Sequence, residues 1–334
     1  MSSWPGEEAL ALQDASPSVA APPTEAMPAD AVGNAGTAAG DADAATPGLR
    51  EDLVELTKPR IMLLVLITAG LGYLLGVRGA AGADVVWLAF LAMMLGSGVA
   101  CMGAAALNQV MERDTDALMR RTRDRPVAAG RMTRGRAAMI GIGLSVIGVG
   151  VQLAFGLWLS AGLTAFTVLS YVLIYTPMKR WTTWALWVGA VPGAMPPIIG
   201  FAAATGAIGL EAWLVFGIMF IWQIPHFLAI AWLYREDYAA AGLAMLPVVH
   251  PDGRSTRRQA IVGCVLLIAA GLLPTWFGIC GWWMFAIATL AGTGFLVMGV
   301  AWSMDPSRSR ARRFFFASLL YLPIVLAVMP MDLN

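Results

Sequence analysis

Residues 108–126, NQVMERDTDALMRRTRDRP, set the carboxylates Glu112, Asp114 and Asp116 just ahead of Arg120, Arg121, Arg123 and Arg125, at the end of a long apolar run. Hard divalent cations select carboxylate oxygens, and arginine forks match phosphate oxygens. This order of groups therefore suits a magnesium ion held beside a phosphorylated anion. A charge of either sign at the centre of a membrane helix costs roughly 2.5–3.5 kcal/mol, so the cluster belongs at an interface or in a polar cavity.

Helical spacing sorts the cluster. At 100° per residue, Asn108, Glu112 and Asp116 drift by only about 40° at each step of four and form one stripe. Asp114 falls off that stripe unless the helix loosens. One amide and two or three carboxylates on one face suit magnesium, which keeps waters and shares its other positions with phosphates. Ordinary salt bridges to Arg113 and Arg120 at a helix end are the plainer reading of the same residues. Arg121 and Arg125, four apart, make a plausible diphosphate clamp. Each is equally open to reading as a charge that merely orients the chain in the membrane.

Two further polar segments follow. Lys179 and Arg180, in YTPMKRWTTW, are either diphosphate contacts or snorkelling anchors beside Trp181 and Trp184. WQIPHFLAIAWLYRED carries His226 in an apolar span, with Arg235, Glu236 and Asp237 at its end. Pro225 is expected to bend that helix and free a carbonyl, and His226 either donates to a carbonyl or acts in function. His250, in HPDGR, is expected to be structural or inert.

The elements that must hold these groups are membrane helices. The 334 residues are 58% hydrophobic and only 13% charged, far outside the range of a soluble domain. Nine apolar runs approach the roughly 20 residues needed to cross a bilayer, at about 61–77, 85–107, 137–155, 157–177, 184–204, 212–233, 260–277, 282–302 and 314–331. All but one of the 22 Lys and Arg residues fall in loops on the same side of these spans, Arg78 being the exception. That side is expected to be cytoplasmic, with the N-terminus inside and the C-terminus in the periplasm. Residues 1–49 hold seven acids and no Lys or Arg, and are expected to form a disordered tail rich in Ala and Pro. Neither a signal peptide nor an Arg-rich transit peptide fits it, which favours a bacterial inner membrane. Cys101, Cys264 and Cys280 are scattered and read as small buried hydrophobes. Nothing points to a nucleic-acid partner.

Taken together, these residues resemble the heme O synthase branch of the intramembrane aromatic prenyltransferase superfamily. The family pattern N-x-x-x-E-x-D-x-D-x-x-M-x-R-T-x-x-R-P matches at Asn108, Glu112, Asp114, Asp116, Met119, Arg121, Thr122, Arg125 and Pro126. TKPR at 57–60, YTPMKR ending at Arg180, WQIPHF at 222–227 and YREDY at 234–238 extend the resemblance over the chain beyond the tail. It implies an all-α domain over residues 50–334, with nine transmembrane helices around a central cavity. It implies farnesyl transfer from farnesyl diphosphate to a vinyl group of heme B, with water addition, for heme-copper oxidase biogenesis. Heme B is then a substrate, and a downstream heme-modifying enzyme would receive the product. Asn108, Glu112 and Asp116 would hold magnesium, with Asp114 as an extra ligand or base. Arg121, Arg125, Lys179 and Arg180 would meet the diphosphate. His226 would ligate iron, orient the porphyrin or handle a proton. The superfamily's second acidic motif, two aspartates four apart, is broken here, since Asp237 is followed at that spacing by Ala241. Asp237 is retained as a candidate ligand of a second ion.

Three other functions fit these residues less well. A quinone-precursor prenyltransferase would prefer aspartates at both motifs. A transporter would place its acids at the bilayer midplane. A heme chaperone would keep His226 but have no use for a magnesium and diphosphate site.

Overall fold

A computed structural model describes residues 48–79 and 86–334. Most of the acidic tail, 1–47, thus lies outside the described residues. Among those described, nine helices are long and apolar enough to cross a membrane. They are α1 (Leu49–Arg78), α2 (Trp87–Leu118), α3 (Arg134–Ala154), α4 (Trp158–Met178), α5 (Ala185–Thr205), α6 (Leu210–Leu233), α7 (Arg254–Trp276), α8 (Trp282–Met304) and α9 (Arg308–Met331). They match the nine expected runs in number and order. Their outward faces are apolar, as at Leu63, Ile67, Leu91, Val146 and Leu290. Such a surface suits lipid, and exposed Trp158, Trp276, Trp282 and Trp283 near the ends of the spans suit an interfacial aromatic belt.

Two departures from the expected spans matter for chemistry. α2 does not stop at 107 but runs on to Leu118, because no Gly or Pro interrupts 104–118. The added turns carry the acidic stripe rigidly out of the apolar run. α1 is broken where Pro59, which lacks an N–H and restricts its predecessor, follows Lys58. Lys58 adopts φ 48° and ψ 61°, and its N–H closes the preceding turn on the Val54 carbonyl at 3.1 Å. It is the one non-glycine residue with positive φ among those described.

Small residues let α2 and α3 approach closely. A Cβ on Gly103 would lie 2.6 Å from the Gly141 carbonyl oxygen, and one on Gly96 2.6 Å from that of Gly148. In lipid, where apolar burial gives little drive for association, such backbone approach is what packs helices. The main apolar core runs through α5 to α9, where Phe295 stacks on Phe314 at 4.6 Å and Trp302 on Phe314 at 5.2 Å, and takes in Tyr73 of α1 and Met93 of α2. α6 runs as one helix through Pro225. α4 loosens into a π-helical stretch at Ser170–Tyr175, a turn type often found at functional sites.

Candidate active site

A cavity of about 1040 Å³ opens between α1, α2, α4, α5 and α6, with the first turns of α7 at its rim. Its deepest lining residues on α1, α2 and α4 are Thr68, Ser97 and Thr164. Its other end is charged, holding Lys58, Asn108, Glu112, Asp116, Arg125 and Lys179.

The expected stripe on α2 is present. Asn108, Glu112 and Asp116 all face the cavity, and both acids are already neutralised. Glu112 Oε1 accepts from Lys179 Nζ at 2.7 Å, each side chain only 12% exposed. Asp116, at 1%, takes Arg125 Nη1 on both oxygens at 2.9 and 2.8 Å. Removing one member of such a buried pair strands a charge, at a cost of about 3–5 kcal/mol. Burial works against the Lys179 ammonium, but the Tyr175 oxygen and the Glu112 carboxylate outweigh it and hold the amine above its ordinary range. The same ammonium sits 4.4 Å from the Tyr175 ring centroid. The π-helical stretch helps to aim this wall, since Thr176 Oγ1 donates to the Tyr171 carbonyl at 2.8 Å and accepts from Asn108 Nδ2 at 3.3 Å.

The donor set fits a magnesium shared with phosphate. The Asn108 amide oxygen and Glu112 Oε2 accept no hydrogen bond from the described residues, and both side chains line the cavity. No three His, Cys, Asp or Glu side chains among the described residues converge to cage a metal by themselves. One or two carboxylates completed by phosphate and water are what magnesium commonly takes.

Other candidates fall elsewhere. Asp114, off the stripe, does not line the cavity; it reaches out to Arg134 Nη2 at 2.6 Å, with 68% of its side chain exposed. It is therefore not positioned as the extra ligand or base. Asp237 lies on a short helix, Arg235–Ala240, outside the cavity lining. Arg180 is exposed and lines a separate cavity of about 150 Å³. Arg121 stays at the rim, its guanidinium 5.2 Å from the Tyr234 ring centroid.

His226 is 7% exposed and held firmly. Trp222 stacks on it at 4.6 Å, and Trp222 Nε1 donates to the Ser318 carbonyl at 2.8 Å. His226 Nδ1 lies 2.7 Å from Ser318 Oγ, whose single proton goes to the Phe315 carbonyl at 2.5 Å. With that proton on the Phe315 carbonyl, Ser318 accepts from Nδ1–H, the tautomer that leaves Nε2 as a free acceptor on a residue that lines the cavity.

Several lining residues were not singled out from sequence. Lys58 projects from the break in α1, and no carboxylate of the described residues lies within 4 Å of its ammonium. Its TKPR setting was the only signal. Gln223, Tyr238, Ser255 and Gln259 also line the cavity, as does His250, for which the sequence suggests a structural or inert role.

A family model described as the UbiA prenyltransferase family matches residues 65–320. The chain belongs to that family. It is accordingly a multi-pass membrane enzyme that transfers prenyl groups. A protein named protoheme IX farnesyltransferase from Solibacter usitatus is 46% identical over 291 residues, covering 84% of this chain and 98% of that protein. One of the same name from Opitutus terrae is 40% identical, with 84% and 94% covered. Among solved structures, a digeranylgeranylglyceryl phosphate synthase superposes with TM-score 0.71 at 15% identity, covering 85% of this chain and 98% of its own. A UbiA homologue from Archaeoglobus fulgidus bound to GPP and Mg2+ gives TM-score 0.55 at 15% identity, with 83% and 99% covered. These structural likenesses establish the UbiA fold of nine membrane helices.

Proposed function

We propose that this UbiA-family enzyme moves a farnesyl group from farnesyl diphosphate onto a vinyl group of heme B, with addition of water, giving heme O and diphosphate. The observation that carries the reading is one cavity joining a buried, charge-balanced cluster to the bare Nε2 of His226. At about 1040 Å³ it is as large as the largest common ligand pockets, which suits two substrates side by side. The relatives named protoheme IX farnesyltransferase support the same substrates.

Asn108, Glu112 and Asp116 would hold magnesium, which when bound supplies positive charge to the leaving group. Lys179 and Arg125 take the departing diphosphate by charge-assisted hydrogen bonds, with Arg121 at the rim. As the carbon–oxygen bond breaks, its electron pair leaves on the diphosphate and the farnesyl carbon becomes allylic-cation-like. The Tyr171 and Tyr175 rings, 5.4 Å apart on the cavity wall, would stabilise that cation by about 0.5–2 kcal/mol each. The vinyl group then attacks, forming the carbon–carbon bond and moving the positive charge to the former vinyl carbon. A water oxygen bonds there and loses one proton. Apolar walls keep other water away until that step. His226, fixed by Ser318, offers Nε2 to the heme iron and so orients the acceptor. We further infer that the charged end faces the cytoplasm of a bacterial inner membrane, because nearly all Lys and Arg residues lie on that side.

The test is to incubate purified protein with heme B, farnesyl diphosphate and Mg2+, with and without EDTA, and follow heme by chromatography with mass detection. A magnesium-dependent product heavier by farnesyl plus water supports the reading. Unchanged heme, with prenylation of a quinone precursor in a parallel tube, contradicts it.

A further inference from the structure

The cavity wall formed by α6 and α7 has no role in diphosphate chemistry, yet it is polar at regular intervals. Its register is set at Gly263 of α7, where a Cβ would lie 2.9 Å from Pro225 Cδ. α7 thus packs directly on the turn of α6 that carries His226. Four and eight residues earlier on α7, on the same face, stand Gln259 and Ser255, about 6 and 12 Å nearer the rim at 1.5 Å per residue. Both line the cavity that His226 lines, and His250 joins them from the preceding loop. Nearby hydrogen bonds run from the Arg254 N–H to Asp252 Oδ1 and from Arg257 to the Asp252 carbonyl. The Ser255 and Gln259 side chains take no partner from the described residues.

The start of α7 also carries the wrong charge for a helix. Gly253 gives no side-chain cap and the first turn has no acid, so Asp252, which accepts from the Arg254 N–H, is the one carboxylate among the described residues set against Arg254, Arg257 and Arg258 at an end where the helix dipole is already positive. A bound anion would offset the positive charge that Asp252 leaves unbalanced at that end. The second, independent pointer is His226, 7% exposed and lining the same cavity, whose Nε2 has no hydrogen-bond partner among the described residues.

We propose that this wall is the acceptor subsite, shaped for a metallated tetrapyrrole with peripheral carboxylates. His226 meets the metal, while Gln259, Ser255 and His250 hydrogen-bond the carboxylates beside the start of α7. The rise of about 12 Å along α7 from Gly263, packed beside the turn that carries His226, to Ser255 leaves room for a porphyrin's half-width and its propionate arm. This assignment rests on the heme reading above and adds the groups that bind the acid edge of the macrocycle.

The experiment titrates full-length protein in detergent with heme B and, separately, with heme B dimethyl ester, followed by absorption without any prenyl diphosphate. The wild type should bind the free acid more tightly than the ester. Ser255→Ala with Gln259→Leu should weaken free-acid binding about tenfold or more, as expected for lost hydrogen bonds to charged groups, and leave ester binding unchanged. His226→Phe should remove the iron-ligation band with both ligands while keeping the preference for the free acid. Ser255→Ala alone is the conservative variant and should show part of the same selective loss. Equal losses for acid and ester, or no loss, would overturn the subsite while leaving heme as the acceptor. Wild-type protein that binds neither form would overturn the heme reading and the subsite with it.

Discussion

The far turns of α2 and the short helix after α6 hold the same kinds of group, acids beside arginines, in opposite surroundings. On α2, Glu112 and Asp116 face the cavity and each is sealed to a cation at 2.7–2.9 Å. After α6, Glu236 is 79% exposed and sits 3.8 Å from Arg235, while Asp237 lies outside the cavity lining. A surface ion pair contributes about 0–1 kcal/mol, whereas a buried pair that loses one member leaves a charge costing several times more. Charge type alone therefore does not separate machinery from surface; the helix face that carries it does. Asp114 makes the same point within α2, two residues from Asp116 yet turned out to Arg134.

The sharpest way to break this contrast is to remove a buried acid. Asp116→Ala should lower prenyl transfer by about 10²–10³-fold or more in inserted protein, as loss of preorganised charge at a reacting centre does. Near-wild-type steady-state rates would refute the assignment. Lys179→Met should also abolish turnover and lower the melting temperature by stranding Glu112, while adding Glu112→Leu should restore melting but not turnover. A double variant that regains activity would reduce the pair to a structural strut. Next in size is Lys58→Met: as a cation at the charged end of the cavity with no carboxylate within 4 Å among the described residues, Lys58 is expected to help draw in the anionic prenyl donor, so its loss should raise KM for that donor about tenfold, with kcat changed far less. An unchanged KM would remove Lys58 from the site. The smallest effects belong outside the cavity, where Asp114→Asn and Asp237→Asn should each stay within about twofold of wild type. A loss at Asp237 comparable with that at Asp116 would erase the difference between the two regions and restore a second metal site.

Much of this was legible in the sequence because lipid imposes length and sign. Apolar runs and the lopsided arginines give the nine helices, and a 100° turn per residue puts Asn108, Glu112 and Asp116 together and sends Asp114 away. What was hidden depends on tertiary register. Lys58 reaches the cavity only because α1 breaks before Pro59. The bare nitrogen of His226 depends on Ser318, 92 residues away. Gln259 and Ser255 face the cavity only because Gly263 lets α7 settle onto Pro225. The π-helical stretch in α4 was equally invisible, since its residues are ordinary helix and strand formers.

The most direct measurement is a crystal structure of the complex with Mg2+ and a non-hydrolysable farnesyl thiodiphosphate. The diphosphate should lie on the α2 and α4 walls, with Lys179 and Arg125 drawn from Glu112 and Asp116 onto phosphate oxygens. Both ion pairs intact, with the diphosphate held instead beside Arg180 or Arg235, would contradict it.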